Sequence, residues 1–169
     1  MGPGCGLCDP AQQKIIEDIY NMDLKEKMNQ QTRTQWRELS FYYDQAEDKS
    51  KWLFLADKKG LLRLVDLLKE YARDPECNNL SAHEHYGPYM YLEIITALEP
   101  QITSHAISGS VSDILKLGEL IEQRVLDSKP GDIFMIDKEY SNNNQAIMLF
   151  RVQEDNFDPS SVDPALSSK

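Results

Sequence analysis

The hydrophobic pattern of this chain changes period several times, and that alternation restricts its fold more than any other feature. Leu61, Leu64, Val65, Leu68, Tyr71 and Ala72 recur at the spacing of an amphipathic helix, opened at Asp57-Lys58-Lys59-Gly60 and stopped by Asp74-Pro75. Val111, Ile114, Leu117, Gly118, Ile121 and Val125 repeat that stripe behind a Ser110 cap with Asp113 on the first turn, up to Pro130-Gly131. The intervening segments are shorter and read with period two or as brief apolar runs, which is strand behaviour. Leu39, Phe41 and Tyr43 alternate with Ser40, Tyr42 and Asp44, and a polar turn from Gln45 to Ser50 leads into Trp52–Ala56. Tyr89–Ala97 and Ile102–Ser108 flank Leu98-Glu99-Pro100-Gln101, while Ile133–Lys138 and Gln145–Val152 flank an Asn-rich loop. A further helix begins at Asp9-Pro10-Ala11-Gln12 and runs to about Met28, with Ile15, Ile16, Ile19 and Tyr20 as a short stripe that docks on a larger body.

The order helix, hairpin, helix, hairpin, helix, hairpin predicts an α+β fold in which three helices pack on a largely antiparallel sheet of about six strands. No self-similarity indicates a repeat. Residues 1–152 are expected to form a single α+β domain, with residues 1–8 mobile. Residues 153–169 carry Glu154, Asp155, Asp158, Asp163, two prolines and four serines, and are expected to form an acidic flexible tail.

Charge narrows the partner. The chain of 169 residues has 18 Lys+Arg against 28 Asp+Glu, a net charge of −10 and a pI near 4.7. That balance argues against a nucleic-acid backbone or an anionic membrane surface and favours a basic partner. The longest apolar runs, Trp52–Ala56 and Ala146–Phe150, fall far short of the roughly 18 residues of a membrane span. The N-terminus lacks a basic n-region and an apolar h-region, and three cysteines are ordinary intracellular usage, so a cytoplasmic location is expected.

Few residues point to chemistry. Cys5-x-x-Cys8 has the spacing of half a zinc site or of a redox pair, but no second pair accompanies it, which favours incidental thiols. The segment Ser81-Ala82-His83-Glu84-His85-Tyr86-Gly87-Pro88-Tyr89-Met90-Tyr91 is the densest cluster of functional side chains. His83 and His85 point the same way from an extended chain, Glu93 lies on the following strand, and His105 joins them if the next hairpin registers suitably. Those four would hold a divalent metal through nitrogen and oxygen; the competing account is a structural loop whose ring nitrogens and hydroxyls bond to backbone. There is no nucleophile elbow, phosphate-binding Gly-rich loop or zinc-protease helix motif. The Glu47-Asp48 and Glu154-Asp155 pairs read first as solvated loop charge.

Residues 51–125 run from an apolar strand through the Gly60-Leu61-Leu62-x-Leu64-x-x-Leu67-Leu68 helix to the His83–Tyr89 segment and Leu92-Glu93-Ile94. This stretch resembles the immunity proteins of bacterial polymorphic toxin systems. The resemblance implies a small intracellular protein without catalysis or cofactor, which binds a cognate toxin and blocks its active site. A basic toxin, such as a nuclease domain, suits the charge. Aromatic and charged residues concentrate at Glu47, Asp48, His83, Glu84, His85, Tyr86 and Tyr89, which are the expected partner-binding positions. The alternatives are a metal-dependent hydrolase or oxygenase built on His83, His85, Glu93 and His105, and a regulatory adaptor with several weak partners.

Overall fold

A computed structural model describes residues 9–167. Helix α1 (Pro10–Leu39) leads into the hairpin β1 (Tyr42–Gln45) and β2 (Lys51–Ala56), followed by α2 (Lys58–Arg73). Strands β3 (His83–Tyr86), β4 (Leu92–Thr96), β5 (Gln101–Ile102) and β6 (Ala106–Gly109) come next. Helix α3 (Val111–Leu126) and the strands β7 (Ile133–Ile136) and β8 (Ile147–Val152) follow. The chain then closes with 3-10 turns at Pro159–Val162 and Pro164–Leu166. The Cys5/Cys8 motif and the proposed mobile segment 1–8 lie outside the described residues.

The α+β class holds, but the strands form two four-stranded sheets, ordered β1-β2-β8-β7 and β3-β4-β6-β5, rather than one sheet of about six. The segments Tyr89–Ala97 and Ile102–Ser108 are not a hairpin. Their cores run parallel, Glu93 facing Ala106 and Ile94 facing Ile107. The second segment is broken because the Thr103 hydroxyl accepts the Ala106 N–H at 3.0 Å while the Thr103 N–H donates to the Ala106 carbonyl at 2.9 Å. That tight turn makes β5 and β6 a hairpin of their own. Strands β2 and β8 are parallel as well, with Trp52 facing Met148 and Phe54 facing Phe150. Each sheet is thus two antiparallel hairpins joined through a parallel central pair.

This arrangement has an internal pseudo-symmetry that the sequence does not display. Residues 42–96 and 101–152 are both hairpin–helix–hairpin units, and exchanging one for the other maps the order β1-β2-β8-β7 onto β5-β6-β4-β3. Helices α2 and α3, each of 16 residues, pack on one another. Gly118 of α3 lies against Leu68 and Lys69 of α2, and Lys69 Nζ meets Glu122 Oε2 at 2.7 Å. Both helices are capped as their sequences predict. The Asp57 side chain accepts from Gly60 N at 2.8 Å, and Ser110 with Asp113 forms a complete capping box. Buried side chains from both sheets and the helices form a continuous core that includes a stack in which Phe150 sits between Phe54 and Phe134, at 5.0 and 4.7 Å.

Two expectations at the chain ends are corrected. Helix α1 continues past Met28 to Leu39, where Ser40 adopts φ 76° and its N–H caps the Trp36 carbonyl. Its stripe does not dock on this chain: Ile15, Ile16, Ile19 and Tyr20 are 55–63% exposed, and Trp36 is the buried residue of the helix. The segment after Val152 is not a flexible tail over its described part, residues 153–167. Its aspartates and prolines, which read as disorder, are turn builders: Asp158 caps Pro159–Val162 and Asp163 caps Pro164–Leu166. Leu166 and Asp163 are buried, and Arg37 holds Asp158 through two hydrogen bonds of 3.3 and 3.0 Å.

The outer face of the first sheet is largely apolar. Cross-strand register lines up Asp44, Leu53, Leu149 and Met135 across all four strands, with Leu55, Arg151 and Ile133 in the adjoining row. Ile133 and Met135 are 57% and 49% exposed, whereas Leu53, Ile147 and Leu149 are half-buried. An apolar band bounded by a carboxylate at the β1 edge is thus open to a partner.

Candidate functional site

A cleft of about 280 Å³ opens at that β1 edge, lined by Trp36, Tyr42, Tyr43, Asp44, Gln45, Trp52, Tyr89, Tyr91, Asp163, Pro164 and Ala165. Five parts of the chain build it: the end of α1, strand β1, the start of β2, the β3–β4 loop and the C-terminal 3-10 turns. Its size suits one amino-acid side chain, since pockets for drug-sized ligands run to about 300–1,000 Å³.

Trp36 is the centre of the aromatic wall. Its ring lies 4.9 Å from Tyr42, 5.3 Å from Tyr43 and 6.0 Å from Tyr89, the last two edge-on. Tyr43 in turn lies 6.2 Å from Trp52, and Tyr89 lies 6.1 Å from Tyr91. Polar ends of the buried rings are spoken for, as buried aromatics require. Trp52 Nε1 donates to the Thr103 carbonyl at 2.8 Å, and the Tyr43 hydroxyl donates to the Tyr86 carbonyl. Gly87, at φ 88°, keeps the chain clear of the Tyr43 ring, which a Cβ there would strike.

Two carboxylates face this wall. Asp163 is 4% exposed, and its Oδ2 accepts from Trp36 Nε1 at 2.8 Å and from the Tyr89 hydroxyl at 2.6 Å. Asp44 is exposed and accepts from the Tyr42 hydroxyl at 3.1 Å. Burial, reinforced by these carboxylates, pushes the Tyr42 and Tyr89 phenols far up, and burial raises Tyr43 also. The phenols therefore stay neutral, leaving a site of electron-rich ring faces with two negative charges beside them. Such a site attracts a cation through its rings and carboxylates together.

Of the expected partner-binding residues, Tyr89 lines the cleft. Glu47 and Asp48 sit in the β1–β2 turn, away from it. Asp48 builds that turn: its Oδ1 accepts from the Ser50 hydroxyl at 2.6 Å and the Ser50 N–H at 3.0 Å, which lowers its pKa. Glu84 and Tyr86 project from the opposite face of β3 toward Tyr71 and Cys77, around a shallow depression. Burial raises the Tyr86 phenol and the Cys77 thiol, so both remain protonated.

His83, His85 and Glu93 come together, with ligating atoms of all three within 4.8 Å of one another. His105 does not join them. Glu93 faces Ala106 in the parallel β4–β6 pair, which leaves His105 in the preceding turn, its N–H on the Thr103 hydroxyl at 3.1 Å. Tyr91, at the end of the same cluster as Tyr89, also lines the cleft, whereas Trp36, Asp44 and Asp163 were not legible as site residues, because contacts such as Trp36 to Asp163 span 127 positions. Comparison with protein families, curated proteins and solved structures returns no match to this chain. Among the described residues, no helix is long and apolar enough to cross a membrane.

Proposed function

We propose that the protein is a non-catalytic binding protein of the immunity type, which neutralises a basic cognate toxin in the bacterial cytoplasm by accepting one of its arginine or lysine side chains in the aromatic cleft. The observation that carries this reading is the cleft: six aromatic side chains around Asp44 and Asp163, largely fixed by their mutual hydrogen bonds. A cation entering it gains ring-face attraction and charge pairing in a partly dry site, and the rigid walls lose little entropy on binding. The net charge of −10 steers a basic partner toward the surface, and the resemblance of residues 51–125 to immunity proteins points the same way. The apolar row Leu53, Leu149 and Met135 adjoins Asp44 and supplies the dry area that a tight complex needs. A preformed cleft favours one strong partner over the several weak ones of an adaptor.

Trp36 and Trp52 report the cleft by their emission. N-acetyl-arginine methylamide is expected to perturb that emission saturably, and its neutral citrulline analogue to leave it unchanged. Captured from its native source, the protein should hold one stoichiometric basic partner. Asp44→Lys with Tyr91→Ala should weaken that complex about 30-fold, or about 2 kcal/mol, as loss of a central anchor does, with the circular dichroism unchanged. Equal responses to arginine and citrulline, or full affinity in the double variant, would overturn the reading. Survival of cells expressing the captured partner should depend on the wild-type protein.

A further inference from the structure

The geometry points to a divalent transition-metal site on the outward face of the β3–β4 ladder, formed by His83, His85 and Glu93; this inference does not rest on the proposed function. Strand β3 is the edge of its sheet. His83 and His85 are two residues apart on it and share one face, and Glu93 faces His85 across the antiparallel pair, so alternation puts all three side chains on that side. The imidazoles stand 5.3 Å apart and nearly perpendicular, at 82°. The ligating atoms lie within 4.8 Å of one another. Ligand atoms around a tetrahedral zinc with bonds of about 2.0–2.1 Å are about 3.3 Å apart. Small rotations of the two exposed histidines and the half-buried Glu93 close that gap.

The orientation of the two rings is the second observation. His83 Nδ1 lies 3.0 Å from the Ser81 carbonyl, and His85 Nδ1 lies 3.1 Å from the Met90 carbonyl. A carbonyl only accepts, so Nδ1 of each ring carries a proton, and in the neutral imidazole this leaves Nε2 as the ligating atom. Holding an imidazole by Nδ1–H on a backbone carbonyl is how proteins fix the tautomer and aim of a metal-ligating histidine. Ser81 and Met90 are both at positive φ, 69° and 61°, a conformation rare for residues with a side chain. The chain therefore adopts an uncommon backbone at each of the carbonyls that orient a ring.

Two imidazoles and one carboxylate suit zinc, iron, nickel or copper over calcium or magnesium, and three protein ligands leave a position for water or an incoming group. The same Met90 carbonyl belongs to the loop that carries Tyr89 and Tyr91 into the cleft, so metal at this site would also secure that loop.

The test is a titration with Zn²⁺ and with Co²⁺ of the full chain, stripped with chelator, free of any histidine tag and carrying Cys5→Ser and Cys8→Ser so that those thiols take no part. One equivalent of Zn²⁺ should bind and raise the melting temperature, and Co²⁺ should give visible d–d absorption. His85→Ala and Glu93→Gln should each weaken binding by at least about 100-fold, the upper end of what losing even an outer partner costs. His105→Ala should leave it unchanged. Proton–nitrogen spectra should place the metal on Nε2 of both rings. Absence of a one-to-one complex, equal binding in the His85 and Glu93 variants, or dependence on His105 would overturn the assignment.

Discussion

Asp163→Ala tests whether the C-terminal segment is part of the fold. The wild-type carboxylate, 4% exposed, is the acceptor for Trp36 Nε1 at 2.8 Å, the Tyr89 hydroxyl at 2.6 Å and the Ala165 N–H at 2.9 Å. The indole N–H belongs to a side chain that is 1% exposed and has no other partner to turn to. Leaving a buried donor unpaired costs about 1–3 kcal/mol, and losing an N-cap about 1 kcal/mol. The Tyr89 hydroxyl is nearer solvent and recovers most of its loss from water. The total is about 2–4 kcal/mol, which for a chain of this size lowers the melting temperature by roughly 10 °C. Urea unfolding followed by tryptophan emission measures it directly. Repeating the substitution in a Trp36→Phe background removes the orphaned donor, so the cost there should drop by about 1–3 kcal/mol. A loss below about 1 kcal/mol, or the same loss in both backgrounds, would refute the reasoning and return the segment to a loosely attached tail.

Two glycines in the helices should respond oppositely to alanine. At Gly118 the new methyl meets Leu68 Cβ and Lys69 Cγ at 3.5 Å, ordinary contact, so Gly118→Ala should gain about 0.5–1 kcal/mol from helix propensity in thermal or urea unfolding. At Gly60 it overlaps the Ser40 carbonyl oxygen and lies 2.7 Å from Ala56 Cβ, so Gly60→Ala should lose about 1–3 kcal/mol in the same assay. The Arg37 guanidinium, with help from Ser160, holds the Asp158 carboxyl below its ordinary 3.8. A lowered folded-state pKa gives stability that is present above the ordinary Asp range and lost as pH falls through the folded value. Arg37→Ala should thus be less stable than wild type near pH 6, with the difference vanishing once pH has fallen through the lowered folded-state value and shrinking in 1 M salt, because both side chains are substantially exposed. A difference independent of pH would assign Arg37 a packing role.

Helices α2 and α3 were legible because their stripes, caps and stops all lie within one local stretch. The end of α1 was not, since from Asn29 to Leu39 the helix buries little beyond Trp36 and has no apolar period to follow. Apart from β3, strand positions were read near their true places, and the β1–β2 and β7–β8 hairpins pair as expected, but the partners of β4 and β6 were not legible. Whether Ile94 meets Ile107 in parallel or antiparallel fashion depends on β3 occupying the other side of β4, and β3, as His-Glu-His-Tyr on an exposed edge, lacks the apolar alternation that marks a strand. At the site, the histidine pair and Glu93 were visible through strand alternation, and His105 was misplaced because the Thr103 turn was not seen. The cleft escaped notice for a different reason: Trp36 and Trp52 look like core, Asp163 looks like tail, and only tertiary structure turns them into neighbours.

The exchange of hairpins between the two pseudo-symmetric halves has a consequence for how the chain emerges from the ribosome. The second sheet draws its strands from residues 83–109 and can close while the rest is still being made. The first sheet cannot: β2 waits for β8, whose Ile147 must reach back to Lys51, so Trp52 and Phe54 stay on an unpaired strand edge until residues 147–152 have been made. Such long-range closure is slow, and an open apolar edge during that interval invites pairing with other nascent chains. The step most sensitive to chaperone supply, and the one at which truncated products should aggregate, is the arrival of the β7–β8 hairpin.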